Sequence, residues 1–146
     1  MLALEAAVVL VVAGDAEGYR NLVREMLGHF TAPDDPITAE RIAKASLLLQ
    51  PPEADQGCVA GLAERSVRLG QGDPLLRWFH LVRVMSAYRS NDFTKAVAWL
   101  EEAGKTEMPP EFASTRQSYL AMAEHHLGDP DRAPARPREA SVAIPA

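Results

Sequence analysis

The stretch Tyr88–Gly104, YRSNDFTKAVAWLEEAG, stops one helix and starts another across the polar turn Ser90–Asn91–Asp92. Ahead of the turn, Leu75, Trp78, Phe79, Val82 and Met85 recur at helical spacing between Pro74 and Ser90, while Arg77, His80 and Arg83 point away from that stripe. Behind it, Phe93, Ala96, Val97, Leu100 and Ala103 form a second stripe, with Asp92 placed to cap the new helix. Each large apolar side chain buried contributes about 1.5–3 kcal/mol, so the two stripes are expected to be satisfied against each other and their neighbours. The stretch is thereby predicted to be the joint of an antiparallel helix pair.

Working outward, the same punctuation recurs. In QGDP, Gly72 is expected to end a helix, Asp73 to cap the next and Pro74 to begin it; in HLGDP, Gly128, Asp129 and Pro130 repeat the device. DAEGYRNLVREMLGHF places Tyr19, Leu22, Val23, Met26, Leu27 and Phe30 on one helical face, opposite Arg20, Asn21, Arg24, Glu25 and His29. A helix over 36–50 is predicted to start at Asp35–Pro36 and stop at Gln50–Pro51–Pro52, and DQGCVAGLAERSVRLG reads as a further helix weakened by two glycines. Another is predicted over 110–127. The apolar run Ala6–Ala13 has both strand and helix character; its flanking alanines and the Gly14–Asp15 stop favour a buried helix at 3–13. The sum is an all-α chain of six or seven antiparallel helices.

Composition narrows the function classes. A chain of 146 residues with 47% hydrophobic and 24% charged residues has ordinary globular make-up and the length of one domain. Its net charge of −5, with basic residues scattered, disfavours a nucleic-acid partner. Glu5 sits where a signal peptide carries positive charge, and the apolar run is far shorter than the ~20 residues that span a membrane, so a cytoplasmic protein without a membrane partner is expected. The lone Cys58 suits a reducing compartment and is expected to be a buried, inert thiol.

Asn91, Asp92, Phe93, Ala96, Leu100 and Ala103 of NDFTKAVAWLEEA resemble the second helix of a tetratricopeptide repeat, in which a Gly or Asn, Asp, aromatic trio is followed by alanines and a large residue at set spacing. Alanines suit close helix approach. The 37 positions from Asp92 to Asp129 are near the roughly 34-residue period of helix-turn-helix repeats. A second unit follows in LAMAEHHLGDPDRA, but Pro134 falls within what would be its closing helix, so the likeness covers residues 74–133 as about one and a half units. The resemblance implies antiparallel helix-turn-helix repeats stacked as a short irregular solenoid: one helical-repeat domain over 1–133, with 74–103 its most regular unit and a disordered tail over 134–146. Met1 inside an apolar helix and the proline-rich close read as a piece of a longer array. AGDAEGYRNLVREML, ERIAKASLLLQP and WFHLVRVMSAYRSNDFTKAVAWLEEA are also similar to helical regions that follow Ser/Thr-kinase or WD40 portions in large planctomycete-like bacterial proteins.

No catalytic pattern emerges. His125 and His126 are adjacent and diverge by about 100° on a helix, so no metal is expected there. The glycines of GQGDP and AGDAEG lack the spacing and the Lys-Ser or Lys-Thr of a phosphate loop, and no nucleophile elbow or opposed carboxylate pair is present. Neither enzyme activity nor a cofactor is expected. What remains is surface recognition. The tetratricopeptide register implies a concave groove lined by Met85, Tyr88 and Arg89, and in the next unit by Ser118, Met122, His125 and His126, suited to a peptide through apolar and carboxylate contacts. Two roles stay open: a non-catalytic protein-interaction or scaffold module, and a regulatory C-terminal portion of a bacterial signalling protein whose catalytic part lies elsewhere.

Overall fold

Asn91 adopts φ 59°, the left-handed conformation that asparagine tolerates better than other residues bearing a Cβ. The next residue, Asp92, accepts a hydrogen bond from the Lys95 N–H at 3.2 Å and so caps the following helix. Gly14, at φ 74°, precedes Asp15, whose side chain accepts from the Gly18 N–H at 2.8 Å. Gly72, at φ 84°, precedes Asp73, whose side chain accepts from the Leu75 N–H at 2.7 Å. Gly128 is also left-handed, at φ 76°. A residue that turns the chain, then an acid that satisfies the next N–H groups, is the local code of this fold.

The computed structural model describes residues 2–105 and 108–128, among which lie seven α-helices and no strand. They are α1 (Leu2–Val12), α2 (Ala16–His29), α3 (Pro36–Ser46), α4 (Glu53–Leu69), α5 (Leu76–Arg89), α6 (Phe93–Ala103) and α7 (Pro110–His126). The chain divides after Ser90 into two compact units, so the boundary falls within the 74–103 pair, between its two helices. Among the described residues no helix is long and apolar enough to cross a membrane. The tail expected over 134–146 lies outside the described residues.

In the first unit α3 is the central element, packing against α1, α2, α4 and α5. Ala39, Ala43 and Ala45 have no exposed surface, and such short side chains allow helices to approach closely. Around them Tyr19, Val23 and Met26 of α2, Val59 and Leu62 of α4 and Val82 of α5 form the core. Three polar groups carried inside are met locally: Ser46 Oγ donates to the Ile42 carbonyl and Ser66 Oγ to the Ala63 carbonyl, while buried Glu40 forms an ion pair with Lys44 one turn on. The 31–35 loop is held to α4 by Arg65, whose Nε donates to the Pro33 carbonyl at 2.5 Å.

Several expectations are corrected. The helix predicted over 36–50 ends at Ser46, where the Leu47 and Leu48 carbonyls beyond it accept from the Arg89 side chain of α5. Pro74 lies in a turn and α5 begins two residues later, since the Asp73 side chain is engaged by the Leu75 N–H. The apolar run is helical, but only Ala7 is fully buried, and Val9 and Val12 are 65% and 82% exposed. Cys58 is exposed. Leu75 is exposed, whereas Leu81 and Val84 are buried with Phe79 and Val82, since α5 packs against both α3 and α4.

The second unit pairs α6 with α7. Ala96 and Leu100 are buried on α6, Phe112, Leu120 and Ala123 on α7, while Phe93 and Ala103 are half-buried. Arg116 Nε donates to the Leu100 carbonyl at 2.5 Å, meeting one of the acceptors left at the end of α6.

Gly57 within α4 and Gly70 at its C-cap provide a paired test. A Cβ at Gly70 would collide with the Phe79 ring and the Ser66 carbonyl, whereas one at Gly57, inside the helix, meets nothing. Gly70→Ala is expected to lower stability by about 1–3 kcal/mol and Gly57→Ala to raise it by about 0.5–1 kcal/mol, measured by urea denaturation. Asp35, which accepts from both the Thr38 N–H and hydroxyl at 2.7 Å, gives a second. The hydroxyl and the N–H of Thr38 hold its pKa below the ordinary value. Its contribution is therefore complete above the ordinary carboxylate pKa and is lost as the pH falls through the lower folded-state value. Asp35→Ala should cost about 1 kcal/mol at neutral pH and progressively less under acid.

Candidate functional site

An α-helix leaves its last carbonyls without intrahelical partners. At the end of α3 they are met from two other helices. The Tyr19 hydroxyl, from α2, donates to the Ala45 carbonyl at 2.8 Å and accepts from the Leu49 N–H at 3.3 Å. The Arg89 guanidinium, from the last turn of α5, donates through Nε to the Leu47 carbonyl at 3.2 Å and through Nη2 to the Leu48 carbonyl at 3.1 Å. The Gln50 amide in turn donates to the Arg89 carbonyl. Burial raises the Tyr19 pKa, against the smaller opposing effects of the Leu49 N–H and the Arg89 charge. The hydroxyl thus stays protonated and able to donate.

This clamp fixes residues 45–50, and behind it lies a cleft of about 480 Å³ between α2 and the α3–α4 connection. Tyr19, Val23, Leu49 and Pro51 give it apolar surface; Arg20 and Arg24 of α2 and Asp55 of α4 supply charge. Its volume is that of a ligand or peptide pocket. Pro51 is buried and Pro52 holds the extended φ −53°, ψ 147°, so this wall is stiff. Arg20 and Arg24 are exposed, and among the described residues neither forms an ion pair; Arg24 donates to the Asn21 side chain at 3.1 Å. A second, shallower cleft of about 370 Å³ is lined by Cys58, Arg65 and Arg68. Its Arg65 is already engaged with the 31–35 loop.

The residues expected to line a groove are distributed as follows. Met85, Tyr88 and Arg89 share one face of α5, where Met85 packs against the core, Tyr88 is half-buried and Arg89 is directed to the end of α3. In the second unit Met122, His125 and His126 are exposed, and the His126 ring stacks on Phe93 at 4.3 Å with an interplanar angle of 2°. Among the described residues no group of three or more His, Cys, Asp or Glu side chains converges to hold a metal ion. The cleft residues Arg20, Arg24 and Leu49–Pro52 were not anticipated. Sequence patterning places the arginines on a polar helix face and the prolines at a stop, and nothing local says that the two adjoin.

No protein-family model matches the chain, and neither the curated proteins nor the solved structures yield a match. The functional reading therefore rests on geometry.

Arg89→Ala would leave the Leu47 and Leu48 carbonyls without their donor and is expected to cost about 1–3 kcal/mol. Arg89→Lys should restore only part of this, because an ammonium lacks the planar fork that reaches both carbonyls. Tyr19→Phe removes the other half of the clamp. In a double-mutant cycle by urea denaturation, Tyr19→Phe and Arg89→Ala should be non-additive by about 0.5 kcal/mol or more; strict additivity would mean that the two contacts act independently.

Proposed function

We propose that this protein is a non-catalytic helical module of tetratricopeptide type that binds a peptide segment of a protein partner, and that the cleft beside the α3 clamp receives it. The observation that carries the reading is the juxtaposition of an apolar floor, two exposed arginines on the α2 side, and a separate wall, the α3–α4 connection, stiffened by Pro51 and Pro52. Apolar surface supplies affinity without direction, and a few charged groups supply orientation. A pre-formed wall also limits the ordering entropy that binding costs. The chain's net charge of −5 opposes a polyanion such as nucleic acid while leaving room for a local cationic edge.

Selection from a random peptide library on the intact protein tests this directly. Recovered peptides should perturb backbone amide resonances of residues 19–24 and 49–55 and leave α7 unmoved. Failure to recover any peptide, or perturbation confined to other surfaces, would overturn the proposal.

A further inference from the structure

We infer that the cleft selects an extended segment carrying two carboxylate side chains at alternate positions, with apolar residues beside them. The inference rests on the peptide-site reading given above. Arg20 and Arg24 stand one turn apart on α2, which sets their backbones about 6 Å apart along the axis. In an extended chain, residues i and i+2 project to the same side about 6.6–6.8 Å apart. Two acids at that spacing meet one guanidinium each, in the charge-assisted geometry that arginine favours. Both arginines are exposed and lack an internal carboxylate among the described residues, so neither need break an ion pair to bind.

The remaining walls sharpen the choice. Leu49 and Pro51, off α2, present apolar surface to the intervening side chain. A cleft of about 480 Å³ admits little more than one turn of a helix 10–12 Å across, whereas an extended strand brings both acids and the residue between them inside. Asp55 also lines the cleft and repels a carboxylate, so the acids are confined to the α2 wall. The cleft is polar across its width, and that polarity sets which edge of the segment faces α2.

The probe is the synthetic peptide Leu-Glu-Val-Glu-Leu, acetylated and amidated so that only side chains carry charge; its central β-branched valine favours the extended strand conformation. Titrated into the full chain and followed by amide resonances, it should bind saturably at residues 19–24 and 49–55. Leu-Gln-Val-Gln-Leu should bind about tenfold more weakly or worse, and raising salt from about 0.05 to 0.5 M should weaken only the acidic peptide. Arg20→Glu with Arg24→Glu, both surface changes, should reverse the preference, losing the acidic peptide and gaining Leu-Lys-Val-Lys-Leu. Asp55→Asn should tighten the acidic peptide about two- to threefold. Equal binding of the Glu and Gln peptides, or displacement of the acidic peptide by inorganic phosphate at equal concentration, would overturn the inference. If library peptides occupy the cleft while the acidic probe does not, the charge selection fails and the peptide site stands; if nothing occupies it, both fail.

Discussion

The end of α3 has more carbonyl groups than its own helix can satisfy, and the first unit is arranged around meeting them. Tyr19 and Arg89 reach that point from helices on either side of it in the chain, and their hydrogen bonds fix Ala45, Leu47, Leu48 and Leu49 at once. An unmet buried carbonyl costs about 1–3 kcal/mol, a large share of the marginal stability of a small domain. The clamp therefore ties helix termination to tertiary packing. It also sets the direction in which the chain leaves α3, and through it the wall of the cleft.

Arginine is used repeatedly in this way. Arg65 donates to the Pro33 carbonyl, Arg89 to those of Leu47 and Leu48, and Arg116 to that of Leu100. Each guanidinium lies across its helix surface and delivers donors to backbone that is turning away. Against that usage Arg20 and Arg24 differ: both line the cleft, and among the described residues neither bonds a backbone carbonyl, Arg24 donating instead to the Asn21 side chain.

The valine-rich first helix shows the limit of reading burial from hydropathy. Its apolar residues occupy all sides, yet a helix at the edge of a unit has one inner face, so Ala7 is buried while Val9 and Val12 are exposed. The fifth helix errs in the other direction. It packs against both α3 and α4, and so Leu81 and Val84, outside the predicted stripe, are buried together with Phe79 and Val82.

The elements and their joints were legible in the sequence because their causes are local. Gly14, Gly72 and Asn91 adopt the left-handed conformation, and Asp15, Asp35 and Asp92 accept from N–H groups three residues ahead, interactions that need no distant partner. Ala96 and Leu100, read as inward-facing, are buried for the same reason of helical period. The candidate site was not legible. Arg89, read from repeat register as a groove residue, is directed to carbonyls more than 40 positions earlier, while Arg20, Arg24 and Pro51 adjoin only because α2 packs beside α3. By itself the sequence determined an all-α chain of six or seven helices and where most of them begin. Which polar side chains are consumed in joining them, and which stay exposed, was decided by tertiary structure, because a hydrogen-bond donor is engaged or not according to the distant backbone that the fold brings to it.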